Sequence, residues 1–508
     1  MIFIDAKQST KKVPNFWNHI HFHPTDAIED EWGQKILNDV AEDKIAKTVR
    51  MYTMFEDIVK EGENGELCYD FSLNDERMDY MVSKGFDLLL IYAYIPPFMA
   101  QDPTMTSTVC KNKTRYKGKV IIISPPKDYK QWGEICYQYT KHIVERYGED
   151  TVARWQMQCW NEPDIPPFFM GDLPDTKEAA EIRLKEYIQL YREFALAIKR
   201  VSPRLQVGES MARYASFLEH FIQMVLEEKL PLDFVCIHTY GTSVYRLNGI
   251  EKNGEPCTKK PFHAENTIKK HKRCQAVVAK YFDNMPIVVD EWGAAAQGFF
   301  NREECPPLMF REGSEYAAYM GKMITAYVEN GVSCSKMLIC LSGQHEMVVD
   351  FSGFRNFFTM NHIRKPLYNA FILLRKLYEN IVACEANQNN LAYIATKSDD
   401  GEKMTVAISY ASPNFNEELP SLTKTLKVEG MGGKKKVTVW LIDETHTNPY
   451  KLALRNGWGD GLYTEEQLAV LREEGMMKPL AVYDWDFDKN DSIDLAFDNN
   501  ALVVVEIE

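Results

Sequence analysis

Between about residue 15 and residue 345, short apolar runs alternate with longer stretches whose apolar positions recur every three or four residues. The short runs are "FWNHIHF" (16–22), "IAKTVRMY" (45–52), "FDLLLIYAY" (86–94), "VARWQMQCW" (152–160), "LQVGES" (205–210), "DFVCIHTY" (233–240), "MPIVVDEW" (285–292) and "CSKMLICLS" (334–342). Nearly continuous apolar character predicts strands buried on both faces, as in a parallel sheet. Between them, "YKQWGEICYQYTKHIVERYG" (129–148) and "AEIRLKEYIQLYREFALAIKRV" (180–201) predict helices, the first with Gly148 as its stop. Eight such units predict a (β/α)₈ barrel over residues 15–365, with functional groups at the carboxyl ends of its strands. The competing doubly wound sheet would carry a GxGxxG after its first strand, and none is present.

Beyond residue 365 the pattern shortens to that of antiparallel strands. "LAYIATKSDDGEKMTVAISY" (391–410) reads as two strands around an Asp-Asp-Gly turn, and "GGKKKVTVWLID" (432–443) and "ALVVVEIE" (501–508) add more. One helix, "TEEQLAVLREEGM" (464–476), interrupts them, with Thr464 as its cap. Residues 366–508 are therefore expected to form a β-sandwich, and residues 1–14, with "MIFIDA", to lend it a strand. The basic run Lys434-Lys435-Lys436 reads as a solvated edge or turn.

Composition narrows the partners. The chain of 508 residues carries a net charge of −14, which argues against nucleic acid and anionic membranes. Its 26 Tyr, 26 Phe and 9 Trp suit neutral ligands such as sugars, which bind aromatic faces and hydrogen-bonding groups. Eleven scattered cysteines without a CxxC, no apolar core of signal-peptide length, and no run of about 18 apolar residues predict a cytoplasmic protein, unless a leader has been removed.

The chemistry concentrates where apolar strands end in carboxylates. Glu162, in "WNEPD", falls at the end of the fourth strand, and Pro163 is expected to bias it toward extended backbone. Glu291, in "VVDEWG", ends the seventh. Strands four and seven face one another across a barrel, so the pair could flank a sugar. Retaining glycosidases need two carboxyl groups about 5–5.5 Å apart, one nucleophile and one acid/base. Aromatic surroundings and the second negative charge would raise the pKa of Glu162 and keep it protonated. Asn161 offers an amide to the sugar 2-hydroxyl. The bland alternative is two unrelated polar strand ends.

Trp160-Asn161-Glu162-Pro163-Asp164 and Asp290-Glu291-Trp292 resemble the catalytic motifs of clan A glycoside hydrolases, and specifically family 39, the β-xylosidase and α-L-iduronidase family. "FDLLLIYAYIPPFMA", "SPPKDYKQWGE", "HIVERYGEDTVARWQMQCWNEPD", "LDFVCIHTYG", "KPLYNAFILLRKL" (365–377) and "LIDETHTNPYKLA" (441–453) extend the resemblance over nearly the whole chain. It implies that Glu162 is the acid/base and Glu291 the nucleophile. It further implies that Arg50 keeps the nucleophile ionised, that Tyr240 hydrogen-bonds it, that His238 joins them from the sixth strand, and that Glu346 binds sugar. The family's oligomers imply a possible homo-oligomer. Three positions depart from the pattern: Ile339 stands near the usual tryptophan platform, Tyr52 replaces a second-strand histidine, and "HIHFHP" replaces a glycine-rich loop.

Two rival readings follow from the residues. His19, His21 and His23 share one face of a strand, as a metal-dependent amidohydrolase would use them. That class also needs a histidine on strand five and an aspartate on strand eight, which "LQVGES" and "LICLSG" do not supply. His21 and His23 are therefore expected to contact sugar, and no metal or other cofactor is expected. The other rival is a non-catalytic carbohydrate-binding protein, against which the presence of both glutamates speaks. Asp290 should point away from Glu291 by strand alternation, Asp164 should shape a turn, and Trp292 should either line the pocket or pack. The expected protein is a retaining, exo-acting, β-xylosidase-like hydrolase of short oligosaccharides, with arabinosides, galactosides and uronic-acid glycosides as alternative substrates.

Overall fold

The computed structural model describes residues 1–22, 28–107, 121–242, 263–298, 300–343, 346–413, 417–459 and 461–508. Strands β1 (Ile2–Asp5) and β2 (Lys11–Lys12) precede β3 (His19–Phe22) and β4 (Thr48–Tyr52). A small hairpin, β5 (Val59–Glu61) and β6 (Leu67–Tyr69), is followed by β7 (Asp87–Tyr92), β8 (Gln156–Cys159), β9 (Gln206–Gly208), β10 (Val235–Thr242), β11 (Ile287–Ala295) and β12 (Lys336–Leu341). Every apolar run identified in the barrel region overlaps one of these strands, and β10 and β11 extend beyond the runs that marked them.

The eight form a single sheet in the order β10-β11-β12-β3-β4-β7-β8-β9, and each pair is parallel. The outermost two meet through parallel bridges from Gly208 to Phe234 and from Met211 to Ile237. The N–H of His238 also donates to the carbonyl of Met211 at 3.1 Å. The sheet thus curls into a (β/α)₈ barrel. Strands β4 and β11 are buried at every position, which is why they read as unbroken apolar runs rather than alternating ones.

Helix Tyr129–Tyr147 starts where Asp128 accepts from the N–H of Lys130. It stops at Gly148, whose φ of +82° a side chain would resist. Helix Lys177–Val201 is capped by Thr176, which accepts from the N–H of Ala179.

A second body of sheet follows. Strands β13 (Asn380–Gln388), β14 (Leu391–Lys397), β15 (Met404–Tyr410), β16 (Leu422–Glu429), β17 (Lys434–Ile442), β18 (Pro479–Asp486), β19 (Ser492–Phe497) and β20 (Ala501–Ile507) make two layers. The larger runs β18-β17-β20-β15-β14-β13-β2, and the smaller β1-β16-β19. The amino-terminal segment enters both: β1 lies parallel to β16, and β2 pairs with β13. Ile2, Ile4, Leu426, Val428 and Leu495 of the small layer share a core with Val406, Val439, Val503 and Val505 of the large one.

Two local details sharpen the expectation. Lys434–Lys436 begin β17 and pair with Asp484–Asp486 of β18, whereas the ladder with β20 starts only at Val437, so the run is a strand end rather than a turn. Their long aliphatic stems let the ammonium groups reach solvent or carboxylates, as Lys435 does with Glu402 at 2.9 Å. Helix Glu465–Glu474 is closed by a capping box between Thr464 and Gln467.

The centre of the large layer, β15 and β20, is buried on both faces. In β20, Val503, Val505 and Ile507 point into the sandwich, whereas Leu502 and Val504 join the barrel core. Helix Ser314–Glu329 lies against that second face and brings Gly321 onto Ser409 and Leu502. A β-carbon at Gly321 would collide with the Ser409 hydroxyl and stand 3.0 Å from Leu502 Cδ1. Gly321→Val should therefore destabilise the protein by about 1–3 kcal/mol through overpacking. Thermal unfolding measures this; an unchanged melting temperature would show that the seam between barrel and sandwich is not close-packed.

Candidate active site

The barrel ends deliver the polar groups. Glu162 follows β8, Glu291 lies within β11, Arg50 within β4, and His238 and Tyr240 within β10. Their side chains meet at the carboxyl ends of the strands, as the fold predicts. Glu291 and Glu162 are nearly enclosed, at 8 % and 9 % exposure, so each needs internal partners.

Glu291 has them on both oxygens. Arg50 Nη1 donates to Oε1 and the Tyr240 hydroxyl donates to Oε2, each at 2.8 Å. Burial alone would raise the pKa of Glu291. His238, His21, Arg50 and Arg355 outweigh it and hold the carboxyl well below its usual range. For Glu162 the balance is reversed. Burial raises its pKa, the nearby charge of Glu291 adds to this, and His238, 2.7 Å from Oε1, opposes it without prevailing. The two carboxylates are thus driven in opposite directions.

His238 links them. Its Nδ1 lies 2.7 Å from Glu162 and 3.5 Å from Glu291, while Nε2 lies 3.2 Å from Asp290. Burial favours the neutral ring, but Glu291, Asp290 and Glu162 together raise its pKa to about 10.

Asp290 does not turn away. Its Oδ2 forms an ion pair with Arg50 Nη2 at 2.9 Å and accepts a hydrogen bond from Gln158 Nε2 at 2.7 Å. The pairing of β10 with β11 slips between Cys236 and His238, and that of β11 with β12 slips between Val289 and Trp292. These bulges break the two-residue alternation and bring neighbouring carboxylates to the same cluster. Trp292 is completely buried within the barrel core.

The backbone at Glu162 also departs from expectation. Its φ is +49° and that of Trp160 is +63°, so the acid sits in the left-handed region rather than in extended chain. Such a conformation costs on the order of 1 kcal/mol or more and persists only where surrounding contacts impose it. Asp164 supplies such contacts: Oδ1 accepts from the N–H of Ala212 at 2.8 Å, and Oδ2 from those of Arg213 and Tyr214 at 2.6 and 2.9 Å. The loop after β9 thereby clamps the loop that carries Glu162.

The other expected residues take distinct places. Asn161 accepts from Arg50 Nη2 at 2.8 Å through its oxygen. Tyr52 stacks on Tyr94 with ring centres 5.8 Å apart. His21 is fully enclosed between Arg50 and Cys340, 3.2 Å from each. Glu346 is buried in the segment after β12. His23 lies outside the described residues.

His19 does not join His21. It lies toward the opposite end of β3, beside Lys336 and Lys47, where burial and those cations keep its ring neutral. Residues two apart on a strand share a face but stand about 6.6 Å apart along it. Among the described residues, the metal-ligand types that come within 4.8 Å of one another are His21, Glu291 and Cys340, and Glu162, His238 and Glu291. Either group would have to share Glu291 with the Arg50 guanidinium, which already supplies the local positive charge.

The sequence reading missed Gln158 and Arg355. Gln158 had a signal: a polar residue two before Trp160 within a buried strand. Arg355 had none beyond being a cation in the aromatic-rich stretch "FSGFRNFF".

The family model of Glycosyl hydrolases family 39 matches residues 1–483. The chain belongs to this family. It is a glycoside hydrolase. A β-xylosidase from Caldicellulosiruptor saccharolyticus is 24 % identical over 522 aligned positions, covering 100 % of this chain and 98 % of the relative. Among solved structures, a monomeric β-xylosidase from Caulobacter crescentus superposes with a TM-score of 0.81 at 20 % identity, covering 100 % and 99 % of the two chains. The family 39 enzyme from Xanthomonas axonopodis pv. citri gives 0.79 at 19 % identity, covering 100 % and 97 %. Both share the fold. Among the described residues, no helix of this glycoside hydrolase is long and apolar enough to cross a membrane.

One test isolates the role of the imidazolium. Replacing His238 with Gln removes a positive charge that lowers the pKa of both Glu162 and Glu291. Both limbs of the pH–rate profile should therefore move to higher pH. Limbs that stay in place would mean that His238 is neutral in the working enzyme.

Proposed function

We propose that this chain is a retaining, exo-acting, β-xylosidase-like hydrolase in which Glu291 is the nucleophile and Glu162 the acid/base. The observation that carries the reading is a pair of facing carboxylates with opposed pKa shifts. One oxygen from each, with a His238 nitrogen, lies within 4.8 Å of the others. That spacing suits the retaining geometry of about 5–5.5 Å between carboxyl groups, rather than the 6.5–9.5 Å that leaves room for water in inverting enzymes. The names of the relatives support the sugar: a relative that matches over its full length is a β-xylosidase.

Chemistry follows from the charges. Glu291, ionised, attacks the anomeric carbon as the glycosidic C–O bond breaks. Glu162, protonated, gives its proton to the departing oxygen. The product is a glycosyl ester on Glu291 and a carboxylate on Glu162. Loss of the Glu291 charge then removes one cause of the raised pKa at Glu162, which makes its anionic form easier to hold. In the second step Glu162 takes a proton from water, the water oxygen attacks the anomeric carbon, and the ester bond breaks to restore Glu291. Asn161, whose oxygen is occupied by Arg50, has its amide nitrogen left to donate to the sugar 2-hydroxyl.

Glu162→Ala should slow substrates with poor leaving groups by about 10²–10⁴-fold and activated aryl glycosides much less, because the latter need little protonation. Azide should restore turnover with retained configuration. Equal losses on both substrates without rescue would remove Glu162 from the role.

The pH profile gives the sign for each group. Glu291 has a lowered pKa, so activity should disappear as pH falls through it. Glu162 has a raised pKa, so activity should disappear as pH rises through it. A 2-fluoro xyloside should leave a stable ester that peptide mapping places on Glu291, and a panel of aryl glycosides should show xylosides turned over fastest. A label on Asp290 would defeat the assignment, and faster hydrolysis of another sugar would change the substrate alone.

A further inference from the structure

Arg355 lies in the segment between β12 and helix Pro366–Leu374, and it is buried. A buried guanidinium ordinarily meets a carboxylate. Among the described residues, this one makes its hydrogen bonds to neutral oxygens. Nε donates to the Ser342 hydroxyl at 3.1 Å, and Nη1 donates to the Tyr240 hydroxyl at 2.9 Å and the Ala296 carbonyl at 3.3 Å. Tyr240 belongs to β10, Ala296 follows β11 and Ser342 follows β12, so one side chain ties together the carboxyl ends of three consecutive strands.

The bond to Tyr240 has a chemical consequence. A phenol has one proton to donate and an oxygen that can accept. With its oxygen accepting from Arg355, its proton is directed to the remaining partner, Glu291 Oε2, at 2.8 Å. We propose that Arg355 is a positioning residue for the nucleophile: by donating to Tyr240, it commits the phenolic proton to Glu291 and fixes the orientation of that carboxylate. The proposal rests on the reading of Glu291 as nucleophile. In the first step the arrangement presents a fixed, ionised carboxylate to the anomeric carbon. In the second it stabilises the charge that returns to Glu291 as the ester breaks.

Other groups also face Glu291 and set its charge. His21 comes from β3, Arg50 and Tyr52 from β4, and Glu162 follows β8. His238 and Tyr240 come from β10, Cys340 from β12, and Asp290 precedes Glu291 on β11. Arg50 reaches Oε1, whereas Arg355 acts through Tyr240 on Oε2, so their losses should be separable.

The experiment compares R355M and R355K in the wild-type and Y240F backgrounds. Thermal unfolding selects conditions in which every variant is folded, and 2-fluoro xyloside labelling checks Glu291 independently. R355M should lower kcat by roughly ten- to a hundred-fold, the scale of one hydrogen bond to a charged group, with little change in KM. Its acidic limb should move to higher pH. R355K, which keeps the charge but not the planar fork, should restore the limb while recovering only part of kcat. In Y240F, where the phenol is gone, R355M should cost less than about threefold more. A full ten- to hundred-fold further loss in Y240F, or an unmoved acidic limb in R355M, would overturn the proposal even with Glu291 labelled. A wild-type label elsewhere would instead remove the nucleophile reading beneath it.

Discussion

The active site depends on a buried guanidinium. Arg50 has no exposed surface, yet it contacts Glu291, Asp290, Asn161 and Gln158 at 2.8–3.1 Å. Burying an ion costs several kcal/mol even after relaxation, so such a group survives only where its partners are nearly ideal. Here burial works against the charge of Arg50, and Asp290 and Glu291 hold it. Because it reaches β8 and β11 from β4, its five donors set the relative positions of three strand ends. Burial pushes both carboxyls toward the neutral form; at Glu291 the positive charges of His238, His21, Arg50 and Arg355 overcome it, while at Glu162 burial prevails over His238 with help from the charge of Glu291. Two chemically identical side chains are thus driven apart by their surroundings in a low-dielectric interior.

Around that cluster, the fold supplies rigidity from outside. The bulges in β11 place adjacent carboxylates in one cluster, and the loop after β9 pins Asp164 through three backbone N–H groups. Both features set conformations that the local sequence would not choose, and both need a well-packed barrel behind them. The large sandwich layer provides part of that backing. Its β20 presents alternate residues to the sandwich and to the barrel, and Gly321 lets helix Ser314–Glu329 approach it closely. The two bodies therefore share side chains of a single strand, and a change in their seam can be transmitted to the strands that carry the site.

The strands were legible because each is buried on both sides, which suppresses the polar residues that would blur its boundaries; "TVRMY" and "IVVDEWGAA" illustrate this. The pair Glu162 and Glu291 was legible for a related reason. A carboxylate at the end of an apolar run is costly unless it has a partner, so its position already asks for one. Asp290 was misread because alternation by twos presumes a regular ladder, and the slip between Val289 and Trp292 depends on how β10, β11 and β12 pack. Glu162 was misread because the preference imposed by Pro163 is a local energy of modest size, smaller than the contacts that hold φ at +49°.

The sequence by itself determined the parallel barrel, the antiparallel sandwich and the two strand ends at which buried carboxylates meet. These follow from side-chain periodicity and burial, which are properties of short stretches of chain. Tertiary structure alone decided which cation meets which oxygen. Arg50 and Glu291 are 241 residues apart, and Arg355 and Tyr240 are 115 apart. Their contacts exist because closing eight strands into a ring brings distant strand ends within hydrogen-bonding distance. Opposed pKa shifts at Glu162 and Glu291 depend on those distances and on the exclusion of water, and neither quantity is a property of any segment taken alone.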